Sequence, residues 1–439
     1  MSLPRYPEHK ASGVEWLGEV PGHWNVRKIR WLCEIKKRIS GELGHDVLSI
    51  TQQGIKIKDL ESNDGQISMD YSKYQFVEVG DFAMNHMDLL TGYVDISNVF
   101  GVTSPDYRVF SIRDKKDCFD RYARYLFQMG YRNKIFYAFG QGSSQLGRWR
   151  LPTEQFNDFF FPLPPLEEQQ TIATFLDRET GKIDALIAEQ RRLVGLLAEK
   201  RQVVISHAVT KGLNPKAKLK DSGIEWLGEV PEHWEVRQLK YSADVRLSNI
   251  DKHTVEDEPR VLLCNYVDVY KNERINSSID FMAATASPEQ IRRLTLEVGD
   301  VIITKDSEDP RDIGVPALVS EVVSNLVCGY HLALLRPRSI KSGGYIYYLF
   351  KSRYVAAVFE TEATGMTRYA LGKYSIENLN VPLPSLEEQH AIGSFLDRET
   401  AKFDTLTAEA NRAITLLQER RSALISAAVT GKVDVRTFV

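Results

Sequence analysis

The sequence predicts an α+β protein formed by internal duplication, with two α+β domains joined by two long helices that pair with each other as a coiled coil. Three observations lead to this fold: a motif repeated at the start of each half, a second repeated motif that leads into a heptad pattern, and two dissimilar blocks between these motifs. The length of 439 residues suits two or three domains rather than one. We expect a pseudo-twofold relation between the halves.

The first repeated motif, motif A, occupies residues 12–27 and again residues 222–237. The copies read SGVEWLGEVPGHWNVR and SGIEWLGEVPEHWEVR, and they differ only at positions 14, 22 and 25 of the first copy. Such close similarity between distant segments indicates duplication of a unit that contains the motif. His23 and His233 belong to this motif, and we expect them to pack or cap rather than to bind a metal.

The second repeated motif, motif B, occupies residues 162–182 and 382–402. Its copies, PLPPLEEQQTIATFLDRETGK and PLPSLEEQHAIGSFLDRETAK, open on prolines and continue as helix. The motifs divide the chain into four segments: a first variable domain over 1–161, a first helical spacer over 162–213, a second variable domain over 214–381 and a second helical spacer over 382–439.

The variable blocks between the motifs share landmarks but little sequence. Short β-branched and aromatic runs alternate with Gly, Asn, Asp and Pro, which predicts a compact α+β domain in each block. VEVGD at 77–81 corresponds to LEVGD at 296–300, and the Gly-Asp pair in each is predicted to form a structural turn. We therefore expect the blocks to share a fold but not a surface.

The helix of motif B is predicted to begin near residue 166 in the first half and 386 in the second, where Ser385 and Glu388 have capping-box spacing. Heptads continue beyond the motif, and we assign eight of their apolar residues to helix pairing or partner docking. These are Ile183, Leu186, Leu197, Val204, Phe403, Leu406, Leu417 and Leu424. Ile187, Val194, Leu196 and Ile205 would then remain for another protein. The alternative is a coiled-coil homodimer.

The charge balance narrows the possible functions. Lys plus Arg number 56 against 59 for Asp plus Glu, and this net charge of -3 argues against nucleic-acid binding over the whole surface. Residues 132–150 and 331–359 contain basic side chains and no acid, as contact with a phosphate backbone requires.

No apolar run reaches the length of a membrane span and no signal peptide is visible, so we expect a cytoplasmic protein. The four scattered cysteines do not predict a disulfide framework.

With both motifs repeated in this order around two unlike blocks, nearly the whole chain resembles the DNA-specificity subunit of type I restriction-modification systems. The resemblance implies that each variable block is a target-recognition domain reading one half of a bipartite, asymmetric site in double-stranded DNA. It also implies that the two helices pair as an antiparallel coiled coil, which acts as a spacer and docks two methyltransferase subunits. These subunits in turn recruit restriction subunits. Such a subunit has no catalytic centre or cofactor of its own, since S-adenosylmethionine, ATP and Mg²⁺ belong to its partners.

Polar loops at matching places in the two blocks are candidate DNA contacts, because amide, hydroxyl and guanidinium groups can bond base edges and phosphates. The first loop follows the opening strand, the second is a Gly-bearing loop ahead of motif B, and the third follows the Gly-Asp landmark. In the first block the candidates are Thr51, Gln52, Gln53, Asn85, His86, Gln141, Ser143, Ser144, Gln145, Arg148 and Arg150. In the second they are Asn265, Tyr266, Lys305, Thr364, Thr367 and Arg368.

Two enzyme alternatives have weak support. Phe139-Gly140-Gln141-Gly142 resembles a glycine turn for S-adenosylmethionine, but neither N-P-P-Y nor D-P-P-Y is present. Asp106, Asp114 and Lys116 match the outline of a Mg²⁺-dependent nuclease, although the second block has Cys328-Gly329-Tyr330 at the corresponding place. We interpret both aspartates as turn residues. A coiled-coil scaffold that does not read DNA is the third alternative.

Overall fold

The computed structural model describes residues 3–59, 71–142 and 149–438. It divides into two compact units: unit 1 contains Met1–Arg191 and Arg412–Val439, and unit 2 contains Arg192–Asn411. Both boundaries fall inside the long helices, whereas the four segments predicted from the sequence follow the motifs. Each unit therefore combines one motif A, one variable block and a piece of each long helix.

Unit 1 is built on a four-stranded antiparallel sheet with the order β4-β11-β8-β9. Its strands are β1 (His9–Ala11), β2 (Glu19–Pro21), β3 (Asn25–Lys28), β4 (Cys33–Lys36), β5 (Leu48–Thr51), β6 (Gly54–Ile57), β7 (Gln75–Val77), β8 (Phe82–Met84), β9 (Val94–Ile96), β10 (Gly101–Thr103), β11 (Arg108–Ile112) and β12 (Phe160–Leu163). Its helices are α1 (Ile29–Leu32), α2 (Asp120–Arg132), α3 (Ile135–Ala138), α4 (Thr153–Asp158) and the first part of α5 (Leu166–Lys211).

Unit 2 is built on a five-stranded sheet with the order β16-β24-β20-β22-β18. Its strands are β13 (Leu219–Asp221), β14 (Glu229–Pro231), β15 (Glu235–Gln238), β16 (Ala243–Leu247), β17 (Arg260–Cys264), β18 (Arg274–Ile275), β19 (Met282–Thr285), β20 (Val301–Thr304), β21 (Asp306–Ser307), β22 (Pro316–Val319), β23 (Leu326–Cys328), β24 (Leu332–Pro337), β25 (Tyr369–Ala370) and β26 (Asn380–Leu383). Its helices are α6 (Tyr266–Lys271), α7 (Pro288–Leu294), α8 (Gly343–Phe350), α9 (Arg353–Glu362), α10 (Lys373–Glu377) and the first part of α11 (Leu386–Val429).

The Gly-Asp landmark forms the same turn in both units, as predicted. Gly80 and Gly299 have positive φ angles of 93° and 92°, which favour glycine. The carboxylate of Asp81 accepts a hydrogen bond from the backbone N–H of Glu78 at 2.9 Å, and Asp300 accepts one from Glu297 at 2.8 Å. The landmark is therefore structural and sets the entry to β8 and β20.

Motif A packs on motif B within each unit. In unit 1 the indole N–H of Trp24 donates to the carboxylate of Glu168 at 3.0 Å, and His23 contacts the same carboxylate at 2.7 Å. In unit 2 Trp234 and His233 contact Glu388 at 3.3 and 2.9 Å. The same indole–carboxylate contact thus joins motif A to motif B in both units.

The long helices begin where the sequence predicts, at Leu166 and Leu386. Ser385 and Glu388 form the predicted capping box, in which each residue's side chain accepts from the other's backbone N–H at 3.3 Å. α5 ends before Gly212 and α11 before Gly431, both with positive φ. A Cβ on Gly212 would lie 3.1 Å from the ring of Trp234, so this glycine also permits close contact with motif A.

Within each unit the two helix pieces lie antiparallel. In unit 1 Ile172 and Leu176 share a core with Ile425 and Val429, and further along α5 Asp184 bonds Arg421 at 2.8 Å. In unit 2 Ile205 and Val209 share a core with Ile392 and Leu396, and the Arg201 guanidinium lies 3.6 Å from the carboxylate of Asp404. The predicted antiparallel direction holds in both units, while a coiled coil along the full helices stays a prediction.

The burial of the helix residues agrees with the first predicted core position of the heptads and disagrees with the second. Ile183, Leu197 and Phe403 are buried, and Val204 and Leu424 are partly buried against a core. Leu186 and Leu406, however, are about half exposed, and the buried side chain after Ile183 is Ile187. The second pairing position thus comes four residues after the first rather than three.

Two of the residues that we reserved for another protein are consequently internal. Ile187 and Ile205 are buried, Val194 is partly buried, and only Leu196 stays exposed among the four. Leu186 and Leu406 are not at the helix pairing, so for them only the partner-docking role stays a prediction. Leu417 is partly buried, which fits its predicted pairing position.

The register can be tested with two neighbouring leucines. Leu197 is 8% exposed and Leu196 is 51% exposed. Leu197→Asp is expected to lower the free energy of unfolding of unit 2 by about 3 kcal/mol, because it removes a buried side chain and places a carboxylate there. Leu196→Asp should change it by less than about 0.5 kcal/mol. Chemical denaturation of both variants measures the difference, and equal destabilisation would contradict the register.

Candidate nucleic-acid interface

Backbone hydrogen bonds connect the second and third predicted loops of unit 1, and we call this connection the joint. The carbonyl of His86 accepts from the N–H of Leu151 at 2.9 Å, and the N–H of Leu89 donates to the carbonyl of Trp149 at 3.0 Å. Gln141 and Arg150 close the base of the Gly-bearing loop through two backbone hydrogen bonds of 2.8 and 3.0 Å. Four predicted contacts in that loop, Ser143, Ser144, Gln145 and Arg148, lie outside the described residues.

The first predicted loop of unit 1 lies next to this joint. Thr51 ends β5, and its hydroxyl donates to the carbonyl of Gly54 at 2.9 Å to form a tight turn that exposes Gln52 and Gln53. The Gln52 amide reaches the carbonyl of Thr91 at 3.5 Å, in the segment that follows His86. Hydrogen bonds thus link the three loops of the first block in series.

The third loop of unit 1 rests on a buried positive charge that the sequence analysis missed. Arg108 at the start of β11 is buried, donates to the carbonyl of Leu151 at 3.1 Å and lies 4.4 Å from the ring of Phe156. Burial lowers the pKa of Arg108 only to about 10, so it stays charged at neutral pH. A strand arginine carries no loop pattern, which is why sequence reasoning passed over it.

This charge changes the expected role of His86. Burial, followed by repulsion from Arg108, lowers the pKa of His86 to about 3, so its ring is neutral at physiological pH. A neutral imidazole cannot act as a cation toward phosphate, but it can donate or accept a hydrogen bond. Neighbouring Asn85 accepts from the hydroxyl of Tyr131 at 2.6 Å through its backbone carbonyl, which fixes the start of the loop.

A groove in unit 1 runs from the Gln52–Gln53 turn to the long helices. Its volume is about 1040 Å³. Basic residues of the variable block and of the helix pieces line it, namely Arg124, Arg132, Lys134, Arg191 and Arg421. Asp177 and Asp184 neutralise two of them, Arg124 and Arg421. The groove therefore continues the polar loop surface onto the helices.

Unit 2 repeats the joint with different side chains. The carbonyl of Lys305 accepts from the N–H of Leu371 at 2.8 Å, and Thr364 and Ala370 close the second loop through two backbone bonds of 3.2 and 3.0 Å. Predicted residues Lys305, Thr364, Thr367 and Arg368 are thereby brought together. Thr364, Thr367 and Arg368 are exposed, and Lys305 is largely covered.

A buried carboxylate, which the sequence analysis also missed, organises this joint. Asp306 on β21 is 5% exposed and accepts from the Nε of Arg368 at 2.9 Å and from the Nζ of Lys305 at 3.2 Å. The Nδ1 of His331 lies 2.8 Å from the same carboxylate. Three side chains from separate loops thus share one acid, and an Asp beside a Lys gave no hint of this in the sequence.

The first loop of unit 2 starts beside the same cluster, since the N–H of Gly329, just before Tyr330 and His331, donates to the carbonyl of Cys264 at 2.8 Å. Asp268 accepts from the N–H of Asn265 at 2.8 Å, and so caps α6. The ring of Tyr266 stacks on Tyr270 with centroids 5.8 Å apart. The loop is therefore a short helix rather than an irregular segment.

The residues of the enzyme alternatives take structural positions. The carboxylate of Asp114 accepts from the N–H of Lys116 at 2.8 Å, and the N–H of Asp106 donates to the hydroxyl of Ser104 at 3.3 Å, as turn residues do. A Cβ on Gly140 would lie 2.3 Å from the indole of Trp149, so this glycine allows close packing.

In the described part of the chain no three His, Cys, Asp or Glu side chains form a metal-binding group. None of its helices has the length and apolar character to cross a membrane.

The fold and the paired loop surfaces define a protein with two related recognition domains. A family model described as the type I restriction modification DNA specificity domain matches residues 21–192 and again residues 231–416. The chain belongs to this family and is a DNA-recognition subunit of a type I restriction-modification system. Specificity subunits are non-catalytic, and the activities of such systems reside in other subunits.

Individual relatives agree with this assignment. The chain is 23% identical over 464 aligned positions to a putative type I restriction enzyme MjaX specificity subunit of Methanocaldococcus jannaschii, covering 99% of each chain. A chain in a solved structure of a type I R-M system matches the fold with a TM-score of 0.69 at 14% identity, covering 93% of this chain and 98% of that one. The HsdS subunit from Thermoanaerobacter tengcongensis matches with a TM-score of 0.51 at 15% identity, covering 94% and 98%. These likenesses confirm the predicted duplicated α+β fold.

Proposed function

We propose that the chain reads a bipartite, asymmetric site in double-stranded DNA, with one half read by the variable block of each unit. The observation that carries the proposal is the shared loop joint, His86 to Leu151 in unit 1 and Lys305 to Leu371 in unit 2, on which different side chains stand. A common backbone presents each loop set to a duplex in the same manner, while unlike side chains select different bases. Two unlike half-sites make the full site asymmetric.

We further propose that the long helices separate the half-sites. α5 and α11 contain 46 and 44 residues, which corresponds to about 69 and 66 Å at 1.5 Å per residue. One turn of DNA spans about 34 to 36 Å, so helices of this length can determine a separation of more than one turn. The spacer between the half-sites would then be a fixed number of unread base pairs.

The partners that we propose are two methyltransferase subunits, with restriction subunits joining through them. Support comes from leucines on the long helices that stay exposed in the chain, Leu186, Leu193, Leu196, Leu406 and Leu416. Exposed apolar side chains in rows favour contact with another protein. In this arrangement the chain uses no cofactor, and S-adenosylmethionine, ATP and Mg²⁺ act in the partner subunits. The assembly would work in the cytoplasm, beside chromosomal DNA.

Methylome sequencing tests this function. Cells that carry the chain with its methyltransferase partner should gain methylation at a single two-part motif with unlike halves and a constant spacer. Cells with the methyltransferase alone are the matched control and should not. In binding assays at physiological salt, the complex should prefer that motif to random duplex by about a thousandfold or more. A contiguous or palindromic motif, or equal binding to random duplex, would overturn the proposal.

A further inference from the structure

The buried carboxylate of Asp306 controls the orientation of one exposed guanidinium. The Nε of Arg368 donates a hydrogen bond to the Oδ1 of Asp306 at 2.9 Å, and one terminal nitrogen of the guanidinium lies 2.8 Å from the same Oδ1. Its side chain is nevertheless 48% exposed. Since a guanidinium has five N–H donors in one plane, those on its outer edge remain directed to solvent. Arg368 is therefore fixed on one edge and open on the other.

The loop that carries Arg368 is a tight hairpin with an exposed tip. Gly365 has a φ of 152°, and a Cβ there would lie 1.9 Å from the carbonyl of Arg368, so only glycine allows this hairpin. Met366 at the tip and Thr367 beside it are exposed. Below the tip, the bonds between Thr364 and Ala370 hold the base of the loop against β21. The solvent-facing edge of the Arg368 guanidinium is thus carried by a loop whose base is held by hydrogen bonds.

The neighbouring side chains of the cluster are less suited to read a base. Lys305 is largely covered, bonds Asp306 and lies 5.1 Å from the ring of Tyr330. His331 directs its Nδ1 to Asp306. Lys305 and Arg368 share the single carboxylate of Asp306, so these three side chains together keep an excess positive charge. Arg368 is the member of the cluster whose donors remain both fixed and accessible.

We propose that Arg368, oriented by Asp306, reads a guanine in the half-site of unit 2, an inference that rests on the proposed function. Two parallel N–H donors match the N7 and O6 acceptors that guanine presents in the major groove, and this is the commonest base-specific contact of arginine. A carboxylate behind the guanidinium restricts its rotation, so less conformational freedom is lost on binding. In unit 1 the residue that follows the joint, equivalent to Asp306, is Met87, so the described residues there do not repeat this pair.

Base-substitution binding tests the assignment. The full chain with its methyltransferase partner is measured against its own motif and against duplexes in which each base pair is replaced in turn. Arg368→Ala should reduce discrimination at one G·C pair by about tenfold to a hundredfold, leaving every position of the other half-site unchanged. Arg368→Lys should not restore it, because lysine lacks the paired donors. Asp306→Asn should weaken discrimination at that same pair.

Arg237→Ala is the matched control, because Arg237 forms another exposed Arg–carboxylate pair, with Glu235 at 2.7 Å on β15, away from the loops. It should leave every base preference intact. The inference fails if the wild type reads a bipartite motif whose unit 2 half-site contains no guanine, or if Arg368→Ala keeps full discrimination at each position. If the wild type itself binds its motif no better than random duplex, the proposed function fails instead.

Discussion

Replacing residues 30–158 by the corresponding block of a relative is expected to change one half of the recognised motif completely and to leave the other half and the spacer unchanged. The exchanged block starts and ends at neighbouring points, because the N–H of Ile29 donates to the carbonyl of Phe159 at 2.8 Å and β3 pairs with β12. A foreign block can therefore be inserted without moving the motifs that frame it. The base contacts travel with the loops, whereas the motif packing remains.

The measurement is methylome sequencing of cells that carry the hybrid chain with the methyltransferase partner. The unexchanged chain with the same methyltransferase serves as the control and should keep both original half-sites. Alteration of both half-sites by the block exchange, or of neither, would contradict the assignment of one half-site to each unit. The result also identifies the half-site of unit 2, which the test of Arg368 needs.

Trp234→Ala is expected to lower the free energy of unfolding of unit 2 by about 3 to 5 kcal/mol, within the range for large-to-small substitutions in cores. Trp234 is 1% exposed, packs in the core with Val209 and Val230 and contacts Gly212. Removal of the ring leaves a cavity where motif A, motif B and the end of α5 meet. Glu388 also loses the indole N–H as a donor.

Trp226→Ala is the matched control in the same motif, since Trp226 is 62% exposed and its loss should cost less than about 0.5 kcal/mol. Trp234→Phe keeps most of the apolar contact but not the N–H, so we expect an intermediate cost of about 1 to 2 kcal/mol. Denaturant unfolding followed by circular dichroism distinguishes the three variants. A cost for Trp234→Ala as small as the one expected for Trp226→Ala would mean that this indole does not stabilise the unit.

The duplication, the starts of the long helices and the two structural turns were predictable because each leaves a local or repeated pattern, whereas the antiparallel direction of the helices came from the family resemblance. Helix starts at Leu166 and Leu386 follow from prolines and a capping box that act within one turn. The heptad register could not be predicted in the same way. A three-residue step and a four-residue step from Ile183 both reach an apolar side chain, Leu186 or Ile187. Only packing against the opposite helix selects the isoleucine.

The candidate interface was predictable as loops but not as a mechanism of recognition. Polar, glycine-bearing segments pointed to the joint that brings Lys305 and Arg368 together. Nothing local to Asp306 or Arg108 marked the one as the shared acid and the other as the buried charge under His86. Their roles depend on strands and loops that are distant in the chain.

By itself the sequence determined the family, the doubled architecture and the candidate loops, because repeats, caps and glycine turns act over a few residues or recur along the chain. The tertiary structure alone decided which side of each helix is internal, and which side chains share Asp306. Burial and shared hydrogen bonding are properties of residues brought together from distant positions. The identity of a base reader such as Arg368 depends on that assembly, since a guanidinium selects a base only when something else fixes its orientation.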